Sequence, residues 1–219
     1  EDRVVVIAID DASLQEIGRW PWDRSVHGEV VRRLSGAKVI GIDVSFFESS
    51  SPEEDAALES AIRGSSVPVV LASEFGFREG RKEYLKPIFG NVSTGHVNIL
   101  PDPDGVVRSL PTRIEGVLSF SAVVAEAMAG PLVLPSAMMI SFFTPPEMVS
   151  YVDVLEGRVD VKDAIVLVGV TSPDFHDDHL VPVSKQPKMP GVIVHANAVR
   201  TVLAGEFLSV QGFGSTVLW

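Results

Sequence analysis

Four residues able to take part in acid, base or ligand chemistry stand at the ends of apolar runs. They are Asp10 after Val4 to Ile9, Asp43 after Val39 to Ile42, Glu74 after Val67 to Leu71, and Thr171 after the run from Ala164 to Val168. In an open parallel sheet every strand ends at one edge, and ligands bind in the crevice outside those carboxyl ends. Carboxylates gathered there raise one another's pKa values unless a cation or a hydrogen-bonding ligand neutralises them. The pattern therefore points to a hydroxylated small molecule or a divalent metal. Asp11 beside Asp10, and Glu48 just past the second run, extend the acidic set. A competing reading has Asp10 and Asp43 capping the turns that follow them and pairing with Arg19 or Arg24.

A second concentration of chemistry is Gly18-Arg19-Trp20-Pro21-Trp22-Asp23-Arg24-Ser25, two indoles and two guanidiniums between a strand and a helix. The proline fixes the backbone and sends the indoles in different directions, so one belongs in the core and the other walls a pocket or stacks on Arg24. Arg19 can meet an anionic ligand or pair with Asp10 or Asp43. His176-Asp177-Asp178-His179 has ligand types that suit zinc, but histidines at i and i+3 share a face only on a helix. Pro173 and Pro182 argue for a solvated loop there. His195 and Asn197, on a helix, are expected to satisfy buried backbone groups. Asp102-Pro103-Asp104-Gly105 fails as a calcium loop, since Arg113 stands at the twelfth place, and reads as a tight turn. There is no Gly-x-Gly-x-x-Gly, Walker loop or Gly-x-Ser-x-Gly elbow, and with no cysteine neither disulfides nor thiolate chemistry is open to the chain.

Elements able to position these groups are legible. The four apolar runs are hydrophobic on both faces, as strands of a helix-covered parallel sheet are. A helix capped by Asp23 or Ser25 carries Val26, Val30, Val31 and Leu34 up to Gly36. Ser51 with Glu54 forms a capping box and Pro52 takes the first helical position of a helix carrying Leu58, Ala61 and Ile62 before Gly64. Two more helices are expected, one from Ser119 to Ala129 and one beginning after Pro190-Gly191 that carries Val192, Ala196, Val199 and Leu203 up to Gly205. Short strands are expected around the Asp102 turn, at Gly95 to Asn98 and Val106 to Arg108, and another at Met138 to Phe143. The alternation predicts an α/β fold, a layered αβα sandwich around a mostly parallel, mixed central sheet.

With 219 residues, 46% of them hydrophobic, the chain can bury a sizeable core. Its 18 basic against 29 acidic residues give a formal charge of -11, which repels polyphosphate, so no nucleic-acid partner is expected. No signal peptide opens the chain, and no apolar stretch reaches the roughly 20 residues that span a bilayer.

In order along the chain, Val4 to Asp11, Gly-Arg-Trp-Pro-Trp and the Arg24-Ser25 helix start resemble the opening of the second type of CHASE domain, an extracellular sensory module of bacterial signalling receptors. The resemblance continues through Ala37 to Glu48, then Asp55, Leu58 and Ala61, then Gly95 to Asn98 with Asp102, Asp104, Gly105 and Arg108. It ends with Ile165 to Thr171, Asp177, Pro182, Met189 to Val192, and His195 to Asn197. Around His176 to His179 the family pattern supports Asp177 alone.

The resemblance implies a sensory domain over residues 1–210 that is not itself an enzyme, with 211–219 the start of a truncated membrane helix. It also implies an extracytoplasmic location, anchorage by flanking helices and a cytoplasmic cyclase or kinase output. Signalling needs two arrangements of different ligand affinity, most simply a change of pairing within a homodimer. The expected ligand is an unknown extracellular small molecule or protein, with no cofactor. Candidate ligand-binding residues are Asp10, Asp11, Arg19, Trp20, Trp22, Arg24, Asp43, Glu48, Thr171 and Asp177. Two other classes compete: a metal-dependent hydrolase, whose ion would touch at least two of Asp10, Asp43 and Asp177, and a structural dimerisation module with no small ligand.

Overall fold

A computed structural model describes residues 2–142, 145–183, 188–205 and 207. Residues 211–219, read above as the start of a membrane helix, lie outside the described residues, as does Phe143. In chain order the elements are β1 (Val4–Ile9), α1 (Asp11–Ile17), α2 (Arg24–Arg33), β2 (Val39–Asp43), α3 (Pro52–Arg63), β3 (Val69–Arg78), β4 (Arg81–Leu85) and β5 (Ser93–His96). Three short strands follow, β6 (Ser109–Pro111), β7 (Arg113–Ile114) and β8 (Val117–Leu118), then α4 (Phe120–Ala129), β9 (Ala137–Met139), β10 (Glu147–Ser150) and α5 (Tyr151–Leu155). The chain continues through β11 (Ile165–Val170), a 3-10 turn (Pro173–Phe175), β12 (Asp178–His179), β13 (Met189–Pro190) and α6 (Gly191–Ala204).

Among the described residues the central sheet has seven strands in the order β10-β1-β11-β2-β3-β4, with β5 also paired to β3. All of its pairings are parallel except the β3–β4 hairpin. Because side chains alternate along a strand, Val5, Ile7, Ile9, Ile40, Ile42, Val166 and Val168 pack on one face against α2, α3 and α5. Val4, Val6, Val39, Ile165 and Leu167 pack on the other, against Phe120 and Val124 of α4 and Val192, Ala196 and Val199 of α6. The expected layered α/β sandwich is what forms, with six helices flanking the sheet among the described residues.

The helices also form where expected, with informative differences in detail. Ser51 Oγ accepts from Glu54 N at 3.2 Å, but the Glu54 carboxylate does not close the box. It turns to the start of α2, accepting from Ser25 N at 2.7 Å and Ser25 Oγ at 3.3 Å. One acid thereby ties α3 to the electropositive end of α2, where Asp23 makes no side-chain cap. Ser119 caps α4 through Ala122 N, and Gly130 closes it. Asp102 to Gly105 is a tight turn, closed by Gly105 N donating to Asp102 O at 2.8 Å and clamped by Arg108 on both carboxylates.

Four strand expectations change. The strand expected at Gly95 to Asn98 is Ser93–His96 and pairs in parallel with β3. Val106 makes only an isolated bridge to Leu180. The strand beyond the Asp102 turn is Ser109–Pro111, and its partner is Ala137–Met139. β3 begins two residues later than expected but runs on to Arg78, because its outer half pairs with β4 rather than entering the parallel core.

The chain path creates one crevice. β11 lies between β1 and β2, in register Ile165↔Val39 to Gly169↔Asp43. From β2 the chain leaves toward α3 on one face, while from adjacent β11 it leaves toward α6 on the other. Connections that part to opposite faces leave a gap at the carboxyl edge, the topological switch point of such sheets.

Candidate functional site

That gap is the mouth of a cavity of about 900 Å³. β2 delivers Asp43 as its last residue and β3 delivers Glu74. The turn after β11 brings Asp177, β12 brings His179, and α6 brings Gly191 and His195. Asn98 fixes the β3 side: its Oδ1 accepts from Phe75 N at 2.8 Å and its Nδ2 donates to Phe75 O at 2.9 Å. Such a two-point backbone clamp holds the strand that carries Glu74.

Asp177 sits directly on the first turn of α6. Gly191 N donates to Asp177 O at 2.9 Å, and a Cβ on Gly191 would lie 2.5 Å from Asp177 Oδ2. Glycine is what lets the carboxylate rest there. His179 Nε2 lies 3.1 Å from Asp177 Oδ1. His195 has both nitrogens engaged, Nδ1 at 3.0 Å from Ser121 Oγ and Nε2 at 3.3 Å from the Val97 carbonyl. A carbonyl only accepts, so Nε2 carries the hydrogen and Ser121 donates to Nδ1.

The electrostatics are one-sided. Burial, then Asp177, then Glu74 push Asp43 from its ordinary 3.8 up to about 8. Glu74 is raised by burial and by Asp177. His27 and His195 are each lowered to about 4, chiefly by burial, so both are neutral at physiological pH. Arg24, the one arginine in the wall among the described residues, is held by Asp55 at 2.7 Å. Neither Asp43 nor Glu74 has a hydrogen bond or ion pair among the described residues.

Aromatic residues line the same cavity. Trp22 is buried and donates from Nε1 to Gly18 O at 2.9 Å. Trp20 is half-buried, with ring centroids 5.1 Å from Trp22 and 5.5 Å from Phe175, both edge-on. The expected division holds only in part: Trp22 is the more buried and belongs to the core, but both indoles line the cavity. Arg24 stacks on neither indole; its guanidinium lies over Phe46 and Phe89, at 5.4 and 5.6 Å from the ring centroids.

Of the residues singled out in the sequence, Trp20, Trp22, Arg24, Asp43, Glu48 and Asp177 line the cavity, with Glu74 beside them. Asp10 does not. It caps α1, accepting from Ser13 N at 2.9 Å, Ser13 Oγ at 2.6 Å and Ser150 Oγ at 2.9 Å, and pairs with neither arginine. Asp11 is exposed on α1, and Arg19 is exposed without an ion pair among the described residues. Thr171 is not in the cavity wall; its backbone N–H donates to Ile9 O at 3.0 Å, extending the sheet. Asp43 caps nothing, and the ion pair expected of Arg24 goes to Asp55 instead.

The tetrad from His176 to His179 divides. His176 is exposed in the left-handed region at φ 55°, whereas Asp177 and His179 are half-buried in the cavity wall rather than in a solvated loop. Among the described residues no three His, Asp or Glu side chains come together so as to hold a metal ion. His27 and Phe175 were not singled out by sequence reasoning. His27 shares a helical stripe with Val31 and Leu34, and that spacing was the available signal.

Among the described residues no helix is long and apolar enough to cross a membrane. Compared with known proteins, no curated protein and no solved structure matches the chain. Compared with protein families, residues 1–219 match the CHASE2 domain. The ordered motifs, the α/β architecture and this whole-length match agree: the chain belongs to the CHASE2 domain family, extracellular sensory domains of signalling receptors, and its role is sensory rather than catalytic.

Proposed function

We propose that the cavity at the carboxyl edge of the sheet is the sensing site, and that this domain reports a small extracellular molecule to a receptor it belongs to. The observation that carries this reading is the group Asp43, Glu74 and Asp177, held in one cavity with no counter-charge on the first two. Acids whose ionisation is opposed by burial and by one another, with no cation of the chain beside them, mark a place that a ligand completes. In this reading the receptor is bacterial, anchored by flanking helices with this domain outside the cytoplasm, paired as a homodimer, and ends in a cyclase or kinase. Coupling runs through α6. Asp177 rests on its first turn and His195 stands in its second, and its 14 residues lead about 20 Å along the sheet. A ligand that shifts Asp177 therefore acts on a rigid element of the fold.

A ligand that binds only the folded state raises its melting temperature. A thermal-shift screen of the chain against small metabolites is expected to find compounds that raise Tm in the wild type, with the rise lost in Asp43→Ala. A rise that persists unchanged in Asp43→Ala, or none with any compound, contradicts the reading.

A further inference from the structure

Resting on that sensory reading, we infer that the cavity takes an organic ammonium ligand, its charged nitrogen among Asp43, Glu74 and Asp177 and its carbon body against Trp20 and Phe175. Four observations converge on this chemistry. The acidic side lacks a cation of its own: the Arg24 guanidinium is spent on Asp55 and the Glu48 carbonyl, and no lysine is in the wall among the described residues. A bare metal ion fits poorly, since no three acidic or histidine side chains close on a common point among the described residues. The same cavity offers the half-buried indole of Trp20, edge-on to Phe175 at 5.5 Å. Aromatic rings and carboxylates lining one cavity recognise alkylated or primary ammonium groups through charge-assisted hydrogen bonds and cation–π attraction.

The fourth observation is independent of the carboxylates. His27 is only 3% exposed, yet it lines the cavity. Its Nδ1 bonds the Tyr151 hydroxyl at 2.8 Å, and Tyr151 is not in the cavity wall, so the ring presents its other edge to the cavity. Nε2 on that edge has no partner among the described residues. An unpaired polar atom that a nearly buried ring leaves open to a cavity marks a place for a ligand group. It also sets the ligand's span, with an ammonium at the acidic side and a hydrogen-bonding atom toward His27. A cavity of about 900 Å³ has room for such a molecule.

The test is isothermal titration of the chain with choline and putrescine, beside their uncharged isosteres 3,3-dimethyl-1-butanol and 1,4-butanediol, and magnesium chloride. At least one ammonium probe is expected to bind about tenfold more tightly than its isostere. Its affinity is expected to fall about tenfold in Asp43→Asn and several-fold in Trp20→Ala, with circular dichroism confirming that both variants fold. Equal binding of probe and isostere, binding of magnesium alone, or no binding of either ammonium probe at millimolar concentration overturns the inference. The sensory reading fails separately. If an uncharged or anionic compound stabilises the wild type but not Asp43→Ala, the cavity still senses and only the ammonium class is wrong.

Discussion

Asp43→Asn is expected to make the folded chain more stable at a pH of about 8, by roughly 3 kcal/mol, while changing it little at a pH of about 4. Burial and two neighbouring acids raise the Asp43 carboxyl from 3.8 to about 8 in the folded chain. Between those values the folded state holds a proton that the unfolded state has released. Stability therefore falls as pH rises through that window and levels off above it. Each pH unit in the window is worth up to about 1.4 kcal/mol, and access of water through the cavity mouth reduces this. Asparagine has no proton to take up, so the variant's stability should lose most of that slope. Glu74 is displaced in the same direction and leaves a residual slope. Urea denaturation of both proteins across this pH range measures the difference. Parallel stability curves would mean that Asp43 is ionised in the folded chain and that the cavity is not under charge strain. A gain in stability on removing an acid is what a site built for a ligand, at the expense of the fold, should give.

Arg24→Ala is expected to cost about 3 kcal/mol. This guanidinium is the hub of the α2–α3 join. Its Nη1 meets Asp55 at 2.7 Å, with the two side chains 11% and 18% exposed. Its Nη2 donates to the Glu48 carbonyl, and its plane covers Phe46 and Phe89. Deleting one member of a buried pair leaves the other charge without its partner, which costs more than the pair contributes. Asp55 keeps a backbone donor, Ser50 N at 3.2 Å, and that holds the loss near the lower end of the range for buried pairs. The urea midpoint reads the effect, and Arg24→Ala combined with Asp55→Ala should recover part of it. A loss below about 1 kcal/mol would place the pair among ordinary surface ion pairs.

Much of the scaffold is written in local sequence, and the parts that are not have physical reasons. β1, β2 and β11 are apolar on both faces because helices cover both sides, so they stand out as unbroken β-branched runs. α3 and α6 announce themselves through Ser51-Pro52 and Pro190-Gly191. β10 is short and at the sheet edge, with Glu147 and Met148 exposed, so neither alternation nor a buried run marks it. α5 has five residues and no side-chain cap, too little for a helical period.

The site divides along the same line. Asp10 and Asp43 look alike as acids closing apolar runs, but Asp10 has Ser13 three residues on, the spacing at which a cap closes. Asp43 is followed by Val44-Ser45-Phe46-Phe47 with no helix start, which leaves its carboxylate for the cavity. The seat of Asp177 on Gly191, the engagement of His195 by Ser121 and the packing of His27 against Tyr151 join residues 14, 74 and 124 positions apart. Only the folded chain brings them together.

The most direct test of the central claim is hydrogen–deuterium exchange of the chain with and without the most stabilising compound from the thermal screen. Binding at the crevice predicts slowed exchange at the amides after Asp43, around Asn98, and from Asp177 to His179, extending into the first turns of α6. Slowed exchange confined to other surfaces, such as the β10 edge, with those segments unchanged, would contradict it.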